Sequence, residues 1–195
     1  MSEWDAMVPQ YMELMEQLEP AFAVATEAML DAIEAAPGVR VLDLACGLGT
    51  SAAAAHQRGA AAVGLDLSPK MLEMARQRFP DVRFEHGDML APPAGPWDGI
   101  TCRFGGHHVD VAWIRAAYDA LAPGGRLAFV EWGPHDGGTG DERHEHDWQD
   151  MVKQAGFVDV VSQPLRLVFP QVEGVPNEGD VFLISARRPT NSEGP

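Results

Sequence analysis

Apolar residues along the chain fall into short runs of strand length, separated by stretches with helical spacing. The runs are Arg40 to Leu44, AAVGLD, VRFEH, DGITCRF, RLAFVEW (Arg126 to Trp132), FVDVVSQ and DVFLISA. Helical stretches lie between most of them, at Ser51 to Arg58, Pro69 to Phe79, Val111 to Leu121 and His146 to Ala155. This alternation predicts an α/β architecture, with parallel strands joined by crossovers and helices on both faces of the sheet. Only PQVEGVPNEG separates the last two runs, so the final strand is expected to pair antiparallel with its predecessor in an open seven-stranded sheet. Two amphipathic helices are expected ahead of the first strand, Glu3 to Leu18 with an interruption near Pro9, and Ala21 to Ala35, closed by Pro37-Gly38-Val39. The chain then divides into a helical cap (1–37), a sheet core (38–187) and a frayed tail (188–195), together one domain.

Composition narrows the partners. The chain has 195 residues, 46% of them hydrophobic, and a formal charge of -15. A field of that sign repels phosphate backbones, and no run of Lys or Arg makes a local exception, so nucleic acid is not expected. Cys46 and Cys102 lie in apolar segments without metal-ligand spacing, which fits a reducing compartment and argues against a disulfide scaffold. MSEWDAMVPQ lacks a basic start and a long apolar core, and no apolar run is long enough to cross a bilayer. A cytoplasmic protein with a small-molecule substrate is expected.

VLDLACGLGT, Val41 to Thr50, raises the question of chemistry, because a strand with an acid near its end runs into Gly47 and Gly49. Glycines after a strand let backbone N–H groups approach a ligand, and the next helix presents its positive N-terminus. Nicotinamide, flavin and adenosyl cofactors all use such a loop, and a tight turn with no ligand is also possible. Two further acids sharpen the picture. Asp66 ends the second strand about 20 residues past the glycines, where a carboxylate can accept both ribose hydroxyls. Asp88 follows the third strand beside Met89, placed to receive an adenine amino group while Met89 and Leu67 sandwich the ring. Either acid alone could be a helix cap or turn residue, whereas the two together at successive strand ends fit an adenosine-containing ligand far better.

DLACGLGT, GLDLSPKML, HGDML, WDGITCRFGGHHV and LAPGGRLAFVEW in this order resemble the class I S-adenosylmethionine-dependent methyltransferases. The nearest are the small-molecule group that includes the ubiquinone and menaquinone C-methyltransferases. The resemblance covers Trp4 to Arg187 and implies a Rossmann-like fold binding S-adenosylmethionine or S-adenosylhomocysteine. It implies Asp43, Gly47 and Gly49 on the methionine portion, Asp66 on the ribose, and Asp88 with Met89 on the adenine. Ala45, Thr50, Leu67, Met71, Gly87 and Arg103 complete the expected cofactor contacts.

The end of the fourth strand is expected to face the acceptor. His107 and His108 are candidate general bases, since imidazole titrates near neutral pH, although in many relatives a similar pair holds the loop or the cofactor. Arg103 either steadies an acceptor oxygen or pairs with a carboxylate. Tyr11 is the N-terminal residue expected to reach the cofactor carboxylate or the acceptor, with Trp4, Phe104 and His108 as further substrate contacts. Trp4, Met7, Tyr11, Met12 and Met15 recur at helical spacing, a pattern that also suits core packing. Relatives carry a long insertion after the fifth strand, where this chain has only GPHDGGTGDERHEH. The acceptor pocket is therefore either more open, or covered by the N-terminal helices or a second subunit of a homodimer. His135, Asp136, Asp141, Glu142, His144, Glu145 and His146 in that loop are read as a solvated acidic segment and not as a metal site, His144 and His146 being expected to diverge on a helix. Two other readings keep the pocket: a methyltransferase-like cyclase of a polyketide pathway that does not transfer methyl, and a non-catalytic cofactor-binding partner protein.

Overall fold

The computed structural model describes residues 3–109, 111–133 and 144–193, with side chains from Met12 onward. Seven strands form one sheet in the order β3-β2-β1-β4-β5-β7-β6. They are β1 (Arg40–Leu44), β2 (Ala61–Asp66), β3 (Arg83–His86), β4 (Trp97–Arg103), β5 (Leu121–Trp132), β6 (Val158–Val168) and β7 (Glu178–Arg187). The β1 to β5 pairings are parallel, whereas β7 lies between β5 and β6 and is antiparallel to both. The mostly parallel sheet and its reversed last strand therefore match expectation.

Helices cover both faces: α1 (Glu3–Ala32), α2 (Thr50–Gln57), α3 (Pro69–Arg78), α4 (Ala112–Ala120) and α5 (Glu145–Gln154). Alternation along β5 shows why its centre is apolar throughout. Leu127 and Phe129 enter a core with Trp113 and Trp148, while Ala128 and Val130 enter a second core with Phe22, Ala25 and Met29 of α1. A strand buried on both faces has no polar side to offer.

The N-terminal segment departs from the two helices expected. α1 is one helix of 30 residues that passes through both Pro9 and Pro20. A proline removes one helical donor, but Leu18, Ala21, Phe22, Ala25, Met29 and Ile33 continue a single buried stripe across Pro20. The helix ends earlier than expected in a Schellman motif without glycine. Glu34 takes φ 56, the Ala35 N–H donates to the Leu30 carbonyl at 2.9 Å, and the Glu34 N–H donates to that of Asp31 at 3.0 Å. β5 also starts earlier than expected, at Leu121, because a register shift against β4 absorbs the Pro-Gly-Gly turn between Leu121 and Arg126. β6 and β7 are longer than their apolar runs.

His144 and His146 do not diverge; their rings stack with centroids 5.4 Å apart. His144 is not in the helix but at its extended N-cap, where its N–H donates to the Asp147 carboxylate at 2.8 Å. His135, Asp136, Asp141 and Glu142 lie outside the described residues. Among the described residues no cluster of His, Cys, Asp and Glu is placed to hold a metal ion, and no helix is long and apolar enough to cross a membrane.

Candidate functional site

The chain builds β1, β2 and β3 outward in one direction, then crosses to β4 on the other side of β1. The carboxyl ends of β1 and β4 therefore border a crevice, the position where open α/β sheets bind ligands. A cavity of about 480 Å³ occupies it, well within the size range of small-molecule sites.

The loop after β1 forms one wall. Ala45, Gly47 and Gly49 all take positive φ, at 52°, 52° and 82°. At Gly49 a Cβ would fall 2.5 Å from the Phe84 ring, so the loop closes against β3 only with glycine there. Gly49 thus packs into the core, and neither it nor Thr50 is among the residues lining the cavity. The Thr50 hydroxyl is buried. Ser51, one residue on, lines the cavity instead, as do Asp43, Ala45 and Gly47.

Asp43 is 2% exposed and accepts a hydrogen bond from the Thr101 hydroxyl of β4 at 2.7 Å. Burial pushes its carboxyl up to about 6, against the opposing pull of the Thr101 hydrogen bond and the nearby Arg103 charge. Asp66 binds the loop to β2, one oxygen accepting the Gly47 N–H at 2.8 Å and the other the Ser68 N–H at 2.8 Å. Burial also raises its carboxyl. Each carboxylate oxygen has a second lone pair, so Asp66 keeps acceptor capacity for a ligand. Gly87, Asp88 and Met89 line the next stretch; Met89 is buried, and the exposed Asp88 caps its own turn through the Leu90 N–H at 2.8 Å. Leu67 and Met71 also line the cavity, Leu67 standing 59% exposed at its rim. Burial drives the Cys46 and Cys102 thiols well above their usual range, so neither is a ready nucleophile.

The opposite wall is aromatic. Phe104, held at φ 57 after β4, stacks on Trp132 at 4.7 Å, and Phe22 of α1 sits 5.2 Å from Phe104. Met15, Glu19 and Phe22 of α1 line the cavity, so the N-terminal helix supplies cover. Arg103 pairs with a carboxylate: its guanidinium donates to both Glu19 oxygens at 2.6 and 3.1 Å and to the Thr26 hydroxyl at 2.9 Å. His107 and His108 both line the cavity, with ring centroids 3.8 Å apart. The side chains of Trp4 and Tyr11 lie outside the described residues.

Glu131 was not anticipated. It is 1% exposed on β5 and accepts the Gly106 N–H at 2.7 Å, with the His107 Nδ1 at 2.6 Å from its other oxygen. Its sequence signal is the one that marked Asp43, an acid at the end of an apolar strand. Glu19, Phe22 and Trp132 had no such mark; helical or strand spacing alone places them.

Residues 41–125 match the methyltransferase domain family. A demethylmenaquinone methyltransferase of Beutenbergia cavernae is 40% identical over 109 residues, which cover 54% of this chain and 45% of the relative. The chain spans about half the length of the curated relatives it matches. Among solved structures, a Haemonchus contortus phosphoethanolamine N-methyltransferase 2 in complex with phosphomonomethylethanolamine and S-adenosylhomocysteine aligns with TM-score 0.75 and 19% identity, over 95% of this chain and 59% of that one. The [4+2]-cyclase SpnF aligns with TM-score 0.70 and 19% identity, over 86% and 81%. At such identities these two structures speak for the fold. Motif order, strand order and the domain match agree: residues 41–125 carry a methyltransferase domain, within a chain that has the fold of these methyltransferase structures.

Proposed function

We propose that the protein is an S-adenosylmethionine-dependent methyltransferase acting on a small, apolar, quinone-like or natural-product acceptor. One observation carries this reading: three strand-end acids, Asp43, Asp66 and Asp88, line one side of a single cavity whose other side is Phe22, Phe104 and Trp132. The acids suit a cofactor with an ammonium, a ribose and an adenine, and the aromatic side suits an apolar acceptor. The residues present fit the cofactor. Asp43 offers a buried carboxylate to its ammonium, Asp66 retains lone pairs for ribose hydroxyls, and Asp88 stands beside the apolar Met89 for the adenine edge and face. When bound, S-adenosylmethionine supplies an electrophilic methyl group on a sulfonium sulfur. The chain's own work is alignment and exclusion of water, which is worth roughly 7–11 kcal/mol in a well-oriented site. The acceptor class is also in keeping with the quinone-related relatives.

The test is mass spectrometry of product and cofactor after incubation with quinol and polyketide intermediates. Gain of a methyl group with demethylated cofactor is expected; an isomerised product with intact cofactor would replace this reading by cyclisation. Asp66→Ala should weaken cofactor binding at least about tenfold, the value of one lost charged hydrogen bond. Unchanged affinity in calorimetry would remove Asp66 from the ribose.

A further inference from the structure

Glu131 poses a physical problem. It is a carboxylate, 1% exposed, in a strand whose neighbours Phe129 and Val130 are fully buried. Burying a charge costs several kcal/mol unless good donors surround it. Three donors do so here. The Gly106 N–H lies at 2.7 Å and the His107 N–H at 3.2 Å from Oε1, and the His107 Nδ1 lies at 2.6 Å from Oε2. A Cβ on residue 106 would stand 2.9 Å from both Oε1 and the Trp113 ring, so only glycine lets the backbone settle on the carboxylate. Two of these bonds hold the loop. The third acts on an imidazole that lines the cavity.

We infer that Glu131 is a positioning residue that holds His107, not His108, as the proton acceptor for a hydroxyl-bearing methyl acceptor. The chemistry follows from the ring. A carboxylate can only accept from Nδ1, so the neutral imidazole carries its proton on Nδ1 and its lone pair on Nε2. As the acceptor oxygen forms its bond to the methyl carbon, and the bond from that carbon to sulfur breaks towards sulfur, the hydroxyl proton passes to Nε2. The imidazolium so formed is stabilised by Glu131 through Nδ1. His108 is exposed, and its ring lies tilted at 45° against that of His107, with centroids 3.8 Å apart. This inference rests on the methyltransferase reading and narrows its acceptor to one that arrives protonated, such as a phenol or naphthol.

Glu131→Gln is the informative variant, because its amide can still accept the Gly106 N–H yet presents a donor to Nδ1. Long-range nitrogen-15 spectra of the labelled full chain should show His107 protonated at Nδ1 in the native protein and at Nε2 in Glu131→Gln. Turnover of a naphthol with S-adenosylmethionine should fall about 100-fold, with affinity for S-adenosylhomocysteine unchanged within twofold. Glu131→Asp, which keeps the carboxylate, should recover part of the loss. A native His107 protonated at Nε2, or a Glu131→Gln protein with full turnover, would overturn the assignment. So would a variant that loses cofactor affinity as far as turnover, since Glu131 would then be only a prop for the loop. If the native chain binds cofactor yet methylates nothing, the methyltransferase reading fails while the tautomer spectra still decide what Glu131 does to His107.

Discussion

At the scale of single residues, Asp43 sets a pH dependence. Its carboxyl is raised from 3.8 to about 6 by burial, so the folded protein holds this proton over a range where the unfolded chain has lost it. The stability this confers is complete below the unfolded value and is lost as pH rises through about 6, a penalty on the order of 3 kcal/mol at neutral pH. On the proposed function cofactor affinity should run the other way, because an ammonium attracts only the ionised form. Kd should therefore be flat above pH 7 and rise about tenfold for each unit below 6. Asp43→Asn should abolish that slope in calorimetry between pH 5 and 8, bind cofactor weakly, and melt a few degrees higher than the native chain without ligand. An unaltered pH slope in Asp43→Asn would assign the titration elsewhere. Asp43 was legible in the sequence because a lone acid in an apolar strand is conspicuous. Glu131 carries the same mark in RLAFVEW but offered no motif to attach it to. Thr101 and Gly49 show a different limit, since partners and packing roles fixed by contacts 58 and 35 residues away have no local signature.

At the scale of elements, the strands and crossovers were legible because each apolar run is bounded by turn residues and each helix has its own period. The single helix α1 was not, because proline is a strong local break signal that burial of a continuous face overrides. Among the described residues, one ion pair ties that helix to the site. Glu19 and Arg103 are 19% and 15% exposed at the side chain and join α1 to the end of β4 at 2.6 Å. Breaking a largely buried pair leaves an uncompensated charge, worth roughly 1–3 kcal/mol after allowance for its remaining solvent contact. Glu19→Gln should lower the melting temperature by about 3–8 °C, and Arg103→Met should do the same. The double variant should recover most of the loss, because neither charge is then stranded. Additive losses in a calorimetric cycle would show that the two side chains do not act as a pair.

At the scale of the whole molecule, the sheet order brings residues from β1, β2, β4, β5, the turn after β3 and α1 around one cavity, so ligand binding and folding must be linked. Anything that binds only the folded chain stabilises it by RT ln(1 + [L]/Kd), about 2.7 kcal/mol at a hundredfold excess over Kd. For a chain of 195 residues that corresponds to a rise in melting temperature of about 5–10 °C. The pattern of the effect is more telling than its size. Because Met15, Glu19 and Phe22 line the same cavity as Asp43 and Asp66, S-adenosylhomocysteine should slow amide exchange in the Cys46–Ser51 loop, at the ends of β2 and β3, and in the Met15–Phe22 segment of α1 together. The far end of the β6–β7 hairpin, Phe169 to Asn177, contributes no cavity residue and should exchange as before. Protection of the sheet ends without α1 would mean that the helix does not cover the bound cofactor, and the aromatic acceptor side built on Phe22 would lose its support. A formal charge of -15 adds one condition: self-repulsion opposes the compact state at low ionic strength, so the exchange and melting comparisons belong at one fixed salt concentration near 0.15 M, where screening acts over about 8 Å.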